Sequence, residues 1–177
     1  MKIHYISVIV PAYNEEEYIR ACINSLKKQT TSTPYEIIVA NNNSTDRTKE
    51  IAQSLGVQVI DEFRQGLSFT RNKGATLAKG QIVSFLDADC IADPDYLETV
   101  EHIFNTRKDL QIVGGWCAYY DAPVIVNFIT DTLRYYYLQF LAIRILLGLP
   151  LLIGGSISIK KAVFQQLGGF DTHITNI

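Results

Sequence analysis

The chain has no surplus of basic charge. Its 16 Lys and Arg face 18 Asp and Glu, for a net charge of −2. Nucleic-acid binding rests on clustered cations that neutralise phosphates, so that class is set aside. Cysteine is scarce: Cys22, Cys90 and Cys117 stand far apart, with no CxxC pair. This argues against a disulfide framework or a zinc site, and a reducing compartment fits. The 177 residues show no internal repeat, low-complexity tract or linker, so one domain over 1–177 is expected. A hydrophobic fraction of 47% against 19% charged residues argues against disorder. The stretch Met1–Tyr5 leads straight into an apolar run, without a long apolar segment ending at a small-residue cleavage site, so no leader is expected.

One long apolar run is present, at 135–153 (YYYLQFLAIRILLGLPLLI). Its eleven Leu, Ile and Phe residues favour insertion by about −3 to −7 kcal/mol in all. Arg144 near its middle opposes this by about +2.5 to +3.5 kcal/mol, and Gln139 and Pro150 oppose it further. The expectation is a core helix, or one lying on a membrane surface, rather than a span.

Before that run, strand-like and helix-like segments alternate. Ile6–Val10 is a short β-branched run closed by Pro11, and reads as a buried strand. Asn14 with Glu17 three residues on has the form of a capping box, followed by Ile19, Cys22, Ile23 and Leu26 at helical spacing. Ile37–Ala40 is a second strand, followed by a polar turn and a helix through Ala52 that stops at Gly56. Val57–Ile60, a helix over Ser68–Ala78, the strand Ile82–Leu86, a helix opened by Asp93-Pro94 and the strand Ile112–Gly115 follow. Leu151–Ile159 reads as a last strand, with a short helix from Lys161. This order predicts an α/β fold with a mostly parallel sheet and helices on both faces.

In such sheets ligands bind beyond the carboxyl ends of the strands. The polar clusters stand at those ends: Ala12-Tyr13-Asn14, Asn41–Asp46 and Asp87-Ala88-Asp89. Two carboxylates one residue apart repel each other, and a divalent cation relieves that repulsion. Asp87 and Asp89 are therefore candidates for Mg²⁺ or Mn²⁺, with a plain strand-end cap as the alternative. Asn41 to Asp46 reads as a strand-to-helix turn or as a polar edge for a nucleobase or ribose. Arg71 belongs to a solvated charged face, or its planar fork points at a base or phosphate. Gly154-Gly155-Ser156 is a tight bend, or a place where the backbone comes close to a ligand.

Five segments in order resemble the family 2 glycosyltransferases with the GT-A fold: VIVPAYNEE (8–16), IIVANNNSTDRT (37–48), GLSFTRNKGA (66–75), SFLDADC (84–90) and GGSISIKKAVFQQLGGFD (154–171). The resemblance implies a GT-A, Rossmann-like α/β fold with a mostly parallel sheet flanked by helices. Residues 1–116 would form the nucleotide-sugar half and 117–177 the acceptor half. Pro11, Ala12, Tyr13 and Glu15 would line the nucleotide pocket, with Asn43 and Asp46 beside it. Asn41 stands where the family usually carries an Asp that pairs with the base; its amide keeps an acceptor oxygen, so uracil stays readable. Arg71 would approach the nucleotide, Asp87 and Ala88 the ribose and donor sugar, and Asp89 the metal on the diphosphate. Gly154, Gly155 and Ser156 would border the donor sugar and acceptor.

The implied reaction is metal-dependent, inverting transfer from a nucleotide-sugar, with a UDP-sugar favoured, to a saccharide or lipid-linked acceptor. The family continues past its GGFD segment to an acidic pair whose Asp is the base. Here the sequence stops at Asn176-Ile177, and Asp171 is the nearest carboxylate without matching that position. The expectation is a chain shortened before the base motif, able to bind donor. A cytoplasmic placement is implied, at the inner face of the membrane if 135–153 touches lipid. Two other readings are carried alongside. One is a nucleotide-sugar binder without catalysis. The other is a phosphohydrolase using the first Asp of Asp-x-Asp as nucleophile, although those carry it on an early strand. Sugar nucleotidyltransferases need a Gly-rich loop after the first strand, where Ala12-Tyr13-Asn14-Glu15 stands instead.

Overall fold

A computed structural model describes residues 3–115 and 155–173. The elements are β1 (Ile6–Ala12), α1 (Ile19–Lys27), β2 (Tyr35–Asn41), α2 (Thr48–Ser54), β3 (Gln58–Asp61), α3 (Leu67–Ala75), β4 (Ile82–Leu86), α4 (Tyr96–Thr106), β5 (Ile112–Gly115), β6 (Ser156–Lys160) and α5 (Lys161–Gln166). They build one six-stranded sheet in the order β3-β2-β1-β4-β6-β5. The pairs β1–β2, β1–β4 and β2–β3 are parallel, whereas β6 runs antiparallel to both β4 and β5. The expected mostly parallel sheet is what forms.

Alternation along the strands loads both faces. Ile6, Val8 and Val10 of β1, with Ile37 and Val39 of β2, pack on one side with Ile19, Cys22, Ile23 and Leu26 of α1 and Leu97, Val100 and Phe104 of α4. Ile9, Ile38, Ala40, Val83 and Phe85 face the other side, against Ala75 of α3, Ala78 just beyond it and Phe164 of α5. This is the period-2 pattern of strands buried on two faces. Helix α3 comes very close: a Cβ on Gly74 would lie 2.4 Å from Ile9 Cγ2, so only glycine fits there. Pro11 sits inside β1, yet pairing with β4 ends at Ile9, so its missing N–H breaks no ladder bond on that side.

Two helix starts differ from the sequence reading. The first helix begins at Ile19 rather than Asn14, whose φ is +54°. Asn14 Oδ1 instead accepts the Thr45 N–H at 2.8 Å, so a bond between loops has replaced the local cap. The fourth begins at Tyr96, two residues past Pro94. Its cap comes from a distance: Gln29 Oε1 accepts the Leu97 N–H at 2.9 Å and Gln29 Nε2 donates to the Asp93 carbonyl at 2.7 Å. The expected strand Leu151–Ile159 is seen as Ser156–Lys160. The apolar segment 135–153, Cys117, Gly154 and Asn176-Ile177 lie outside the described residues. Among the described residues no helix is long and apolar enough to cross a membrane.

Candidate functional site

Parallel strands β2 and β4 flank β1 on opposite sides, so the order reverses between β1 and β4. A crevice opens at the carboxyl ends where a doubly wound sheet reverses. The loops after β1, β2 and β4 all leave the sheet there, and Gly155, just before the antiparallel β6, returns to the same edge: its carbonyl accepts the Asp87 N–H at 3.0 Å.

The first two loops are tied to each other. Glu15 N–H donates to Thr48 Oγ1 (2.7 Å), Glu16 N–H to Asp46 Oδ2 (3.0 Å) and Asn14 N–H to Ser44 Oγ (3.0 Å). Asp46 Oδ1 in turn accepts the Thr48 N–H at 3.0 Å and its hydroxyl at 2.5 Å. Partial burial pushes the Asp46 carboxyl up, but these bonds outweigh it and hold it below the usual range. Asp46 therefore anchors the chain around Glu15. Pro11 and Ala12 are buried, while Tyr13 in the β1 loop is half exposed. Asn43 is exposed and turns the chain with φ +58°.

The third loop makes a tight turn: Cys90 N–H donates to the Asp87 carbonyl at 3.0 Å. The turn takes Asp87, Ala88 and Asp89 out of the strand. Ala88 packs into the core, Asp89 is exposed, and Asp87 turns to α3, where Arg71 Nη2 meets its Oδ1 at 2.7 Å. The pair is partly shielded, with Arg71 13% and Asp87 34% exposed at the side chain. Burial raises the Asp87 carboxyl and Asp89 adds to that, while Arg71 opposes. Glu15 is raised by burial and then by Asp89, Asp46 and Asp87. The same field reaches the Cys22 thiol beneath, which burial, Asp89, Asp87 and Glu15 push up to about 12.

This crevice is an acidic concentration in which Arg71 is paired to one member. Among the described residues, no three His, Cys, Asp or Glu side chains form a ready-made cation cage. Mg²⁺ and Mn²⁺ sites completed by phosphate oxygens and water need only one or two carboxylates. Asp89 is exposed and stands two residues from the partly buried Asp87 and near Glu15, an oxygen donor set that fits such an ion.

On the far side of β1, Asn41 ends β2 in register with Asp61 of β3. Asn41 Nδ2 donates to Asp61 Oδ1 at 2.9 Å, and Lys49 Nζ donates to Asp61 Oδ2 at 2.6 Å. The neighbouring Asn42 organises the loop after β3. Its Nδ2 donates to the carbonyls of Glu62 (3.0 Å) and Arg64 (2.8 Å), and its Oδ1 accepts the Gly66 N–H (2.9 Å). Glu62 is held at about 2 by its bonds with Arg64, whose guanidinium also lies over the Phe69 ring.

On the β6 side, Ser156 is buried opposite Leu86. The segment after α5 is clasped to α3: Asn72 Nδ2 donates to the Phe170 carbonyl at 2.9 Å, and Phe170 N–H donates to Asn72 Oδ1 at 2.8 Å. Phe170 packs edge-on against Phe85 and Phe164, under the Arg71 guanidinium. Asp171 is exposed, and its Oδ1 accepts the His173 N–H at 2.8 Å.

The structure thus brings Pro11–Glu15, Asn41–Asp46, Arg71, Asp87–Asp89 and Gly155–Ser156 to one sheet edge. Sequence reasoning passed over Asp61 and Lys49, and gave Asn42 and Asn72 no role of their own within the clusters that contain them. An acidic residue at the carboxyl end of the third strand was a signal for Asp61. Nothing local marks Asn72, whose partner is 98 residues away. A separate groove of about 410 Å³, lined by Lys27, Tyr35, Glu36, Ile37, Gly56, Val57 and Gln58, lies at the opposite end of the sheet.

The family model for glycosyl transferase family 2 matches residues 7–168. Glycosyltransferase AglE of Haloferax volcanii is 40% identical over 119 residues, covering 63% of this chain and 38% of that protein. S. aureus TarS 1-349, solved in complex with UDP-GlcNAc, superposes with a TM-score of 0.60 at 28% identity, covering 67% of this chain and 36% of that one. The mannosyltransferase PcManGT from Pyrobaculum calidifontis, in complex with GDP-Man and Mn²⁺, has a TM-score of 0.72 at 21% identity. That likeness covers 97% of this chain and 48% of PcManGT, and it shows the shared fold. The chain accordingly spans well under half the length of AglE and about half that of PcManGT.

Proposed function

The chain belongs to glycosyl transferase family 2, and from that premise we propose that it carries the donor site of an inverting glycosyltransferase, which moves a sugar from a nucleotide-sugar to an acceptor hydroxyl. The observation that carries this reading is the convergence of Glu15, Asp87, Asp89 and Arg71 at the reversal point of the sheet. The complexes of TarS with UDP-GlcNAc and of PcManGT with GDP-Man support a nucleotide-sugar partner.

In this reading Tyr13 and the β1 loop flank the base, with Asn41 at its edge, and Asn43 and the Asp46-anchored turn beside the pocket. Arg71 holds Asp87, and Asp87 faces the ribose and donor sugar with Ala88 behind it. Asp89, with Asp87 beside it, holds Mn²⁺ or Mg²⁺. When bound, that ion supplies positive charge against the diphosphate as it departs. Gly154, Gly155 and Ser156 border the sugar and acceptor. The acceptor oxygen attacks the anomeric carbon opposite the leaving diphosphate, forming the new C–O bond as the old one breaks. Its proton passes to a base; Asp171 is the nearest carboxylate in sequence to the family's base motif, without matching its position.

The acceptor is a saccharide or a lipid-linked one, the latter favoured if 135–153 rests on the inner face of the membrane, as the aromatic–aliphatic sequence of that run supports. Calorimetric titration with UDP and GDP, each with Mn²⁺ and again with EDTA, tests the donor site. The reading expects nucleotide binding that EDTA abolishes, and absence of binding by either nucleotide overturns it. Flotation with anionic liposomes tests the membrane contact, and no co-migration at low salt removes it.

A further inference from the structure

Asn41 is 4% exposed and its side-chain amide is flanked by two groups of opposite polarity. On one side lies Asp61 Oδ1, at 2.9 Å from Nδ2. On the other is the Ser44 N–H, at 3.4 Å from Oδ1. An ionised carboxylate only accepts hydrogen bonds and a backbone N–H only donates. The amide therefore has one orientation, NH₂ toward β3 and oxygen toward the loop after β2. Lys49 Nζ, 2.6 Å from Asp61 Oδ2, holds the carboxylate in place and charged. Asp61 is pushed up by partial burial, but its bonds from Lys49 and Asn41 outweigh that and keep it below the usual range. The backbones are fixed as well: Asn41 and Asp61 are register partners, and Glu62 N–H donates to the Asn41 carbonyl at 2.9 Å.

An isolated Asn is ambivalent. It turns its amide to offer either a donor or an acceptor, and so reads complementary base edges about equally well. Here that choice has been removed by a residue on the neighbouring strand. Resting on the reading that the nucleotide base lies at this edge, we propose that Asp61, anchored by Lys49, is a positioning residue that fixes Asn41 as a hydrogen-bond acceptor toward the base. The site then takes bases that present a ring N–H, the N3–H of uracil or the N1–H of guanine. It rejects cytosine, which carries a lone pair at the N3 position.

The test is calorimetric titration of three forms with UDP and CDP in the presence of Mn²⁺. In the wild-type chain UDP is expected to bind about tenfold or more tighter than CDP, the scale of one hydrogen bond replaced by two opposed acceptors. Asp61→Asn frees the Asn41 amide to turn, and the UDP-to-CDP ratio is expected to fall close to one while both nucleotides still bind. The exchange Asn41→Asp with Asp61→Asn reverses the donor and acceptor of the pair and again presents an oxygen to the base, so the ratio is expected to return. A purely structural Asp61 would alter both affinities together and leave their ratio unchanged. Three results overturn the inference while leaving the proposed donor site standing: equal wild-type affinities, an Asp61→Asn ratio equal to wild type, or an exchange variant without preference. If Asp61→Asn fails to give a cooperative melt, Asp61→Ala, which likewise removes the acceptor that fixes the Asn41 amide, carries the test in its place, with the same loss of the UDP-to-CDP ratio expected and an unchanged ratio overturning the inference. Binding of neither nucleotide by the wild-type chain overturns the donor-site reading, and this inference with it.

Discussion

The Asn72–Phe170 clasp gives the sharpest energetic prediction. Asn72→Ala removes two hydrogen bonds of 2.9 and 2.8 Å and leaves the Phe170 N–H and carbonyl unpaired in a half-buried segment. Each such bond is worth about 0.5–1.5 kcal/mol net, and incomplete access of water to the orphaned groups moves the sum to about 2 kcal/mol. For a domain of this size that lowers Tm by about 4–8 °C. Asn72→Asp is expected to do no better, because a carboxylate accepts from Phe170 N–H but opposes its carbonyl. Gly169 supplies the cross-check. Its φ is +86°, and a Cβ there would lie 2.6 Å from Asn72 Oδ1. Gly169→Ala therefore combines about 1–2 kcal/mol of left-handed strain with a clash against Asn72. In the Asn72→Ala background the clash is gone and only the strain remains. Urea denaturation of the two single variants and the double is thus expected to give a double-variant cost below the sum of the singles. Strict additivity, or an Asn72→Ala cost under about 0.5 kcal/mol, refutes the clasp as a structural tie between α3 and the segment after α5.

Other outcomes follow from single contacts. Asp89→Ala is expected to leave the melting temperature within about 2 °C of wild type, since Asp89 is exposed, while the Mn²⁺ dependence of UDP binding disappears; retained dependence in calorimetry refutes the metal role. Gly74→Ala places a methyl 2.4 Å from Ile9 Cγ2 and is expected to cost about 1–3 kcal/mol by denaturant melt, although alanine favours helix elsewhere. Glu62, held at about 2 against an ordinary 4.5, contributes stability above pH 4.5 that is lost as pH falls toward 2. In acid titrations the gap between wild type and Glu62→Gln therefore narrows over that window, and a gap independent of pH contradicts the Arg64 bond as its source.

Much of the donor half was legible because its signals are local. Ile6–Val10 and Ile82–Leu86 are β-branched or apolar runs that can only be buried strands, and the polar clusters directly after them fall at the carboxyl edge by topology alone. The pairing of Arg71 with Asp87 joins two of those signals across 16 residues. What the sequence hid is cooperative and distant. Asn14 and Glu17 have the form of a local cap, yet Asn14 is drawn into the left-handed region by its bonds to Ser44 and Thr45, so that two loops are locked instead of one helix started. Pro94 has the form of a first helical residue, but Gln29 from the loop after α1 caps a helix that starts at Tyr96. Asn41 in isolation leaves its hydrogen-bond polarity open, and only the register of β2 with β3 reveals the carboxylate that fixes it.

The central claim is that nucleotide and metal meet at the carboxyl edge of β1, β2 and β4. The most direct test follows backbone amide resonances of the isotopically labelled chain during addition of UDP with Mg²⁺, then with a trace of paramagnetic Mn²⁺. The account predicts shifts at Ala12–Glu15, Asn41–Asn43 and Asp87–Cys90, with Mn²⁺ broadening centred on Asp89. Shifts confined to the groove at Lys27, Tyr35, Gly56 and Gln58, or broadening that spares Asp89, would contradict it.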